Sequence, residues 1–119
     1  MLPVRHRLRS SADFRAAIRR GRRAGGTVLV LHLLEPAGAE PVRIGLVVSR
    51  AVGPAVVRNL VKRRLRHLLR ERLGSHPGSL PSSGLLVVRA LPGAGTASYV
   101  TLGTELDRLP GRVRAGAAR

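Results

Sequence analysis

The spacing of apolar blocks along the chain predicts an α+β fold, in which short strands form a mostly antiparallel sheet covered by helices. Two observations carry that expectation. Three short runs rich in Val, Ile and Leu are bounded by Gly or Pro, as strands are, and three longer stretches repeat apolar residues at three- and four-residue steps, as helices do. The chain has 119 residues, 44% of them hydrophobic, which is enough for one core, so a single domain over 1–119 is expected.

The elements follow in order. Residues 1–9 (MLPVRHRLR) read as an extended, flexible basic arm. Ser10, with Asp13 three positions on, makes a capping-box-like start, and Gly21 after Arg19 and Arg20 is a stop. A short helix over 11–20 is expected between them, with Phe14, Ala17 and Ile18 on one side. Residues 27–34 (TVLVLHLL) and 42–49 (VRIGLVVS) read as strands joined by the surface loop EPAGAEP, and antiparallel pairing of the two is the simplest arrangement. Pro54 suits the first turn of a helix that meets no Gly or Pro until Gly74. Residues 75–84 form a loop by composition, 85–90 (LLVVRA) a third strand, and LPGAG a turn. Tyr99, Leu102, Leu106 and Leu109 then mark an amphipathic helix from about 97 to 109, stopped by Pro110, with residues 110–119 expected to be a flexible tail.

Charge narrows the function. Lys and Arg number 22 against 6 Asp and Glu, a formal net charge of +16, and such a chain requires a polyanion. Nucleic acid is the commonest partner of a compact basic domain, because each cation near a phosphate releases condensed counterions. A membrane is not expected: the longest apolar run, 28–34, carries His32 and falls far short of the roughly 20 residues a span requires. Cysteine is absent, which excludes disulfides and cysteine zinc sites and fits a cytoplasmic setting. The N-terminus lacks the apolar core of a signal peptide.

The helix after Pro54 concentrates the charge. On a wheel of about 100° per residue, Val57, Val61, Leu65 and Leu68 share one side, flanked by Leu60 and Leu69. Arg58, Lys62, Arg66 and Arg70 step by four around the other, with Asn59 and Arg63 between them, over an arc of roughly 140°. Each like-charge step costs about 0.2–0.5 kcal/mol, and Glu71 is the only acid in the segment. A solvated structural face would interleave carboxylates, so this arc reads as a binding surface.

The stretch SRAVGPAVVRNLVKRRLRHLLRER (49–72) resembles the signature of the bacterial ribonuclease P protein component. Gly53, Ala55 and Val56 match its lead-in, Arg58 and Asn59 the first two positions of its Arg-Asn-Arg motif, and Lys62, Arg63 and Arg66 the basic positions that follow. RLRSSADFRAAIRRGRRAGG and RIGLVVSR resemble the family's N-terminal pattern and the strand leading into the motif, so the resemblance covers about residues 5–109. Departures exist: Leu60 stands in place of the motif's second Arg, Pro54 and His67 replace a typical Asn and Glu, and Ile18 and His32 occupy positions where aromatics are common.

The resemblance implies a two-layer sandwich like the second domain of ribosomal protein S5. It would have a four-stranded sheet, helices on one face and a left-handed β-α-β crossover around the motif helix. The additional strand is expected around 25–28. The resemblance also implies a subunit of an endoribonuclease that removes the 5′ leader of precursor tRNA, with catalysis and Mg2+ binding carried mainly by an RNA subunit, one protein per RNA. On that pattern Arg58, Asn59, Lys62, Arg63, Arg66 and Arg70 would contact the catalytic RNA, and Phe14, Arg19, Arg22 and His32 the single-stranded leader. The residues themselves offer no active site: Glu105 and Asp107 do not face each other on a helix, and His6, His32, His67 and His76 lack metal-ligand spacing. A ribosomal or general RNA-binding protein is the alternative, and a DNA-compacting protein a third class.

Overall fold

A computed structural model of the chain describes residues 2–35, 41–75 and 80–114. The elements are α1 (Ser11–Arg20), β1 (Arg22–Gly25), β2 (Leu29–Leu34), β3 (Arg43–Val47), α2 (Ala55–Ser75), β4 (Leu85–Ala90) and α3 (Tyr99–Arg114), with 3-10 turns at Val4–His6, Arg50–Val52 and Pro92–Gly95. The strands form one sheet in the order β1-β2-β4-β3. The β1–β2 and β2–β4 pairs are antiparallel, and β3–β4 is parallel.

The α+β class and the four-stranded, mostly antiparallel sheet match expectation, while the pairing of the two central apolar runs does not. β2 and β3 are not neighbours: β4 inserts between them, antiparallel to one and parallel to the other. A strand, a helix and a parallel strand form a β-α-β unit, so the partner of β3 comes from beyond α2 rather than from across the nearest loop. The additional strand sits at 22–25 rather than 25–28, because residues 25–29 form the turn, closed by the Gly26 N–H on the Leu29 carbonyl at 2.8 Å.

Helices occupy both faces of the sheet rather than one. Leu29, Leu31, Leu33, Leu86, Val88 and Ala90 pack with Val61, Leu65, Leu68 and Leu69 of α2 and Leu102, Leu106 and Leu109 of α3. The alternate residue Val87 packs with Ala17 of α1, with Phe14, Leu34 and Leu85 beside them. Because side chains alternate along a strand, α1 must lie on the face opposite α2 and α3. Burial on both faces explains the nearly unbroken apolar sequences of β2 and β4.

α1 begins and ends as its sequence requires. The Ser10 hydroxyl accepts the Asp13 N–H at 3.4 Å, and the Gly21 N–H donates to Ala17. The N-terminal arm departs from an extended form. It turns through Val4–His6, buries Leu2 in the core on the α2 and α3 face, and buries Leu8 in the small cluster under α1. The Leu8 N–H bonds the Ile44 carbonyl at 3.0 Å and His6 Nδ1 donates to the Val42 carbonyl at 2.7 Å, so the arm straps the outer edge of β3. α3 does not stop at Pro110. It runs on to Arg114 because Leu109 and Val113 are both fully buried, and that burial outweighs the cost of an interior proline.

Candidate nucleic-acid interface

α2 is positioned from both ends. Gly53 adopts a φ of 153°, a backbone state that favours glycine, and turns the chain from the strap-side loop into the helix. The Arg58 N–H then bonds the Pro54 carbonyl at 2.9 Å. Arg72 donates to both carboxylate oxygens of Asp107, at 2.8 and 3.1 Å, and so ties α2 to α3. Arg64 reaches the Ala97 carbonyl at 3.3 Å. Those two arginines lie outside the cationic arc and serve the helix packing.

The arc itself is left to solvent. Asn59, Arg63, Arg66 and Arg70 are exposed, while Arg58 and Lys62 are half-buried. Arg58 holds its place by donating from Nε to the Gly53 carbonyl at 3.2 Å. Among the described residues, the ion pairs engage Arg22, Arg72 and Arg108, and no cation of the arc has a carboxylate partner. The self-repulsion inferred from the sequence is therefore real in the fold, and an incoming phosphate backbone would relieve it.

Lys62 and Arg66 also form one wall of an open groove of about 430 Å³ at the β3 edge, with Arg7 and Leu8 of the strap, Gly45 and Phe14 among the other lining residues. Phe14 reaches the strand there because position 45 is glycine: a Cβ would overlap the Phe14 ring. The groove thus carries the cationic side of α2 around the sheet edge to the aromatic ring of α1.

Beyond Phe14, the face under α1 bears a cross-strand row of Arg23, His32, Val87 and Gly45, read directly from the strand registers. Arg89 projects on the same face two residues along β4 from Val87. His32 is 3% exposed, which makes it a floor residue rather than an open stacking platform. Neither of its ring nitrogens has a hydrogen-bond partner, nor does Arg89 Nε. Burial lowers the His32 pKa from its ordinary value, and the charges of Arg89 and Arg23 lower it further. Ile18 is 39% exposed and Arg19 is exposed on α1. β1 turns Arg22 to the opposite face, near Glu35 at 3.7 Å, and gives the α1 face to Arg23.

Sequence reasoning therefore passed over Arg23 and Arg89. A charged residue inside LLVVRA was a usable signal, since an arginine in a strand buried on both faces requires a reason. Glu105, which the sequence shows not to face Asp107 as a catalytic pair would, has a structural role. Its carboxylate accepts the N–H groups of Thr27, Val28 and Leu29 at 2.9, 2.9 and 3.0 Å and a bond from Arg108 at 2.9 Å. Among the described residues, no group of three or more His, Cys, Asp or Glu is placed to hold a metal ion, and no helix is long and apolar enough to cross a membrane.

The α+β fold thus presents a cationic helix face without carboxylate partners, continuous with a groove that holds an aromatic ring, a surface suited to a polyanion. The family model for ribonuclease P matches residues 2–114. The ribonuclease P protein component of a Nocardioides species is 60% identical over 117 residues, covering 97% of both chains. That of Streptomyces avermitilis is 52% identical over 127 aligned positions, covering both chains completely. Among solved structures, the RNase P protein from Thermotoga maritima in complex with 1-(4-fluorophenyl)-2-thiourea superposes with a TM-score of 0.77 at 25% identity, over 90% of this chain and 99% of that one. The Staphylococcus aureus RNase P protein gives 0.74 at 22% identity, over 87% and 91%. The chain belongs to the ribonuclease P protein family. Membership makes it the protein subunit of a ribonucleoprotein endoribonuclease of tRNA processing.

Proposed function

We propose that the chain docks on ribonuclease P RNA through Arg58, Asn59, Lys62, Arg63, Arg66 and Arg70, and that the cleft beside α1 holds the single-stranded 5′ leader of precursor tRNA. The observation that carries this reading is the continuity of the two surfaces. Lys62 and Arg66 face the same groove as Phe14, so an RNA bound on α2 delivers a neighbouring strand to the ring without crossing an apolar barrier. In this reading Phe14 stacks on a leader base, Arg19 adds charge at the rim, and His32 acts from the floor. Arg22, turned to the other face, plays no direct part.

Magnesium fits the RNA better than this chain. Glu35, Glu71, Glu105 and Asp107 are each engaged by an arginine and Asp13 stands apart in the first turn of α1, so the described carboxylates do not gather into a set for a hard cation. The protein's contribution is charge: neutralising RNA phosphates lowers the magnesium concentration at which the RNA folds and binds substrate. One copy per RNA, in the cytoplasm, completes the proposal.

Reconstitution tests it. Purified protein added to bacterial ribonuclease P RNA and precursor tRNA at low magnesium is expected to stimulate leader removal. Absence of stimulation, together with equally tight binding to unrelated RNA, would indicate a general RNA-binding protein instead.

A further inference from the structure

We propose that Lys62 is an acylation site, at which a short-chain acyl phosphate held by Arg7 and Arg66 transfers its acyl group to the lysine amine and removes a positive charge from α2. The site stands on the geometry of the groove, while its effect on RNA rests on the proposed docking through the cationic arc.

Lys62 is the only lysine among the 22 Lys and Arg residues of the chain. The difference is chemical. A guanidinium stays protonated at physiological pH and is no nucleophile, whereas a lysine amine gives up its proton far more readily and accepts an acyl group. Arg58, Arg63, Arg66 and Arg70 therefore have a fixed charge, and within the arc Lys62 alone can be neutralised by acyl transfer. Its place matters as much as its type. Lys62 is half-buried, stands one helical turn from both Arg58 and Arg66, and has no carboxylate partner among the described residues.

The groove offers what the transfer requires. Its volume of about 430 Å³ admits a small mixed anhydride, and its lining sets Lys62, Arg7 and Arg66 beside apolar side chains such as Leu8 and Ile44, with no acidic residue. Arg7 Nε is committed to the Leu2 carbonyl at 2.7 Å, which fixes the guanidinium and leaves its terminal nitrogens without a partner among the described residues. Arg66 is exposed and also lacks a carboxylate. Two guanidinium groups offer forked donors to the oxygens of a phosphoryl group, and the apolar wall suits the acyl end. A donor so held keeps its carbonyl carbon close to the amine, which raises the effective concentration of the reactants. The unprotonated amine attacks that carbon and a C–N bond forms. The C–O bond to phosphorus-bound oxygen breaks, inorganic phosphate leaves with the bonding pair, and the surplus amine proton passes to phosphate or water. The product is a neutral amide that has lost the ammonium charge.

The test treats the full-length protein with acetyl phosphate in one tube with Nα-acetyl-lysine amide, a lysine without arginine neighbours. Peptide mass spectrometry separates Lys62 from the chain's N-terminal amine. Lys62 is expected to be acetylated about tenfold faster than the standard. Inorganic phosphate should suppress this excess more strongly than sodium chloride at equal ionic strength, and Arg7→Gln should remove most of it. A rate equal to the standard, an excess indifferent to phosphate, or a full excess in Arg7→Gln would each overturn the proposal. Ribonuclease P RNA added first is expected to protect Lys62, and the acetylated protein should bind that RNA with a salt dependence flatter by roughly 0.7–0.9 log units. If acetylation is fast and phosphate-sensitive but RNA gives no protection and the slope is unchanged, the docking reading fails while the acylation site stands.

Discussion

Replacing Glu105 with alanine should be among the most damaging single changes in the chain, although Glu105 touches no RNA in the proposed mode. Its carboxylate holds the β1–β2 turn to α3 by accepting three consecutive backbone N–H groups, two of them fully buried. Removing the acceptor leaves those donors unmet at about 1–3 kcal/mol each, less what entering water recovers. The sum is a loss of about 3–5 kcal/mol, set against a total stability of roughly 5–15 kcal/mol. Glu105→Gln keeps one oxygen for Val28 and Leu29 but turns an amide toward Thr27 and Arg108, and should lose about 2–3 kcal/mol. Arg108→Ala is the control: that pair is half-exposed on the arginine side and should change stability by less than about 1 kcal/mol. The pH dependence has a definite sign. Burial raises the Glu105 pKa, but the bonds from Val28, Thr27, Leu29 and Arg108 outweigh it and hold the group below its ordinary value of 4.5. Its contribution is therefore complete above that value and is lost as pH falls through the folded-state pKa. Urea denaturation of the free protein at several pH values measures both effects. If Glu105→Ala stays within about 1 kcal/mol of the wild type at neutral pH and keeps its acid profile, the carboxylate is not the anchor described.

Other outcomes follow from the same geometry. Leu65→Ala, at a fully buried position of α2, should lower stability by about 2–5 kcal/mol in denaturant titration. Gly45→Ala places a methyl group against the Phe14 ring, so it should weaken leader affinity more than affinity for the RNA subunit when the two are measured separately. Removing the charges of Arg58, Lys62 and Arg66 together should flatten the salt dependence of RNA binding by roughly 0.7–0.9 log units per lost phosphate contact. An unchanged slope would exclude the arc as the docking surface.

Local features were readable and long-range pairings were not. The limits of α1 follow from Ser10, Asp13 and Gly21, and the core side of α2 from the spacing of Val61, Leu65 and Leu68, because capping and helical period are properties of neighbours in sequence. Nothing local told β3 to pair with β4 rather than β2, since both choices bury the same side chains and only the path of α2 separates them. The layer of α1 was hidden for a related reason. A strand buried on both faces has no alternation to reveal which helix lies where. At the site, the cationic arc was legible because repulsion at four-residue steps is a sequence property. Arg23 and His32 become neighbours because β1 begins at Arg22, which gives the face under α1 to Arg23 and not to Arg22.

The strap explains how the cationic face of α2 and the Phe14 groove come to form one surface. An unprotected β3 edge would expose backbone donors and acceptors to any strand that approached. The arm covers part of that edge and is fixed at both ends, by Leu2 in the core of one face and Leu8 in the cluster of the other. The Arg7 Nε bond to the Leu2 carbonyl, at 2.7 Å, holds the turn between them closed. Its remaining exposed side presents Arg7 to the groove that Lys62 and Arg66 line from α2. Covering the edge therefore adds positive charge where the cationic arc meets the Phe14 cleft. A segment that reads as a loose basic tail is in the fold the bridge between the cationic face of α2 and the Phe14 groove.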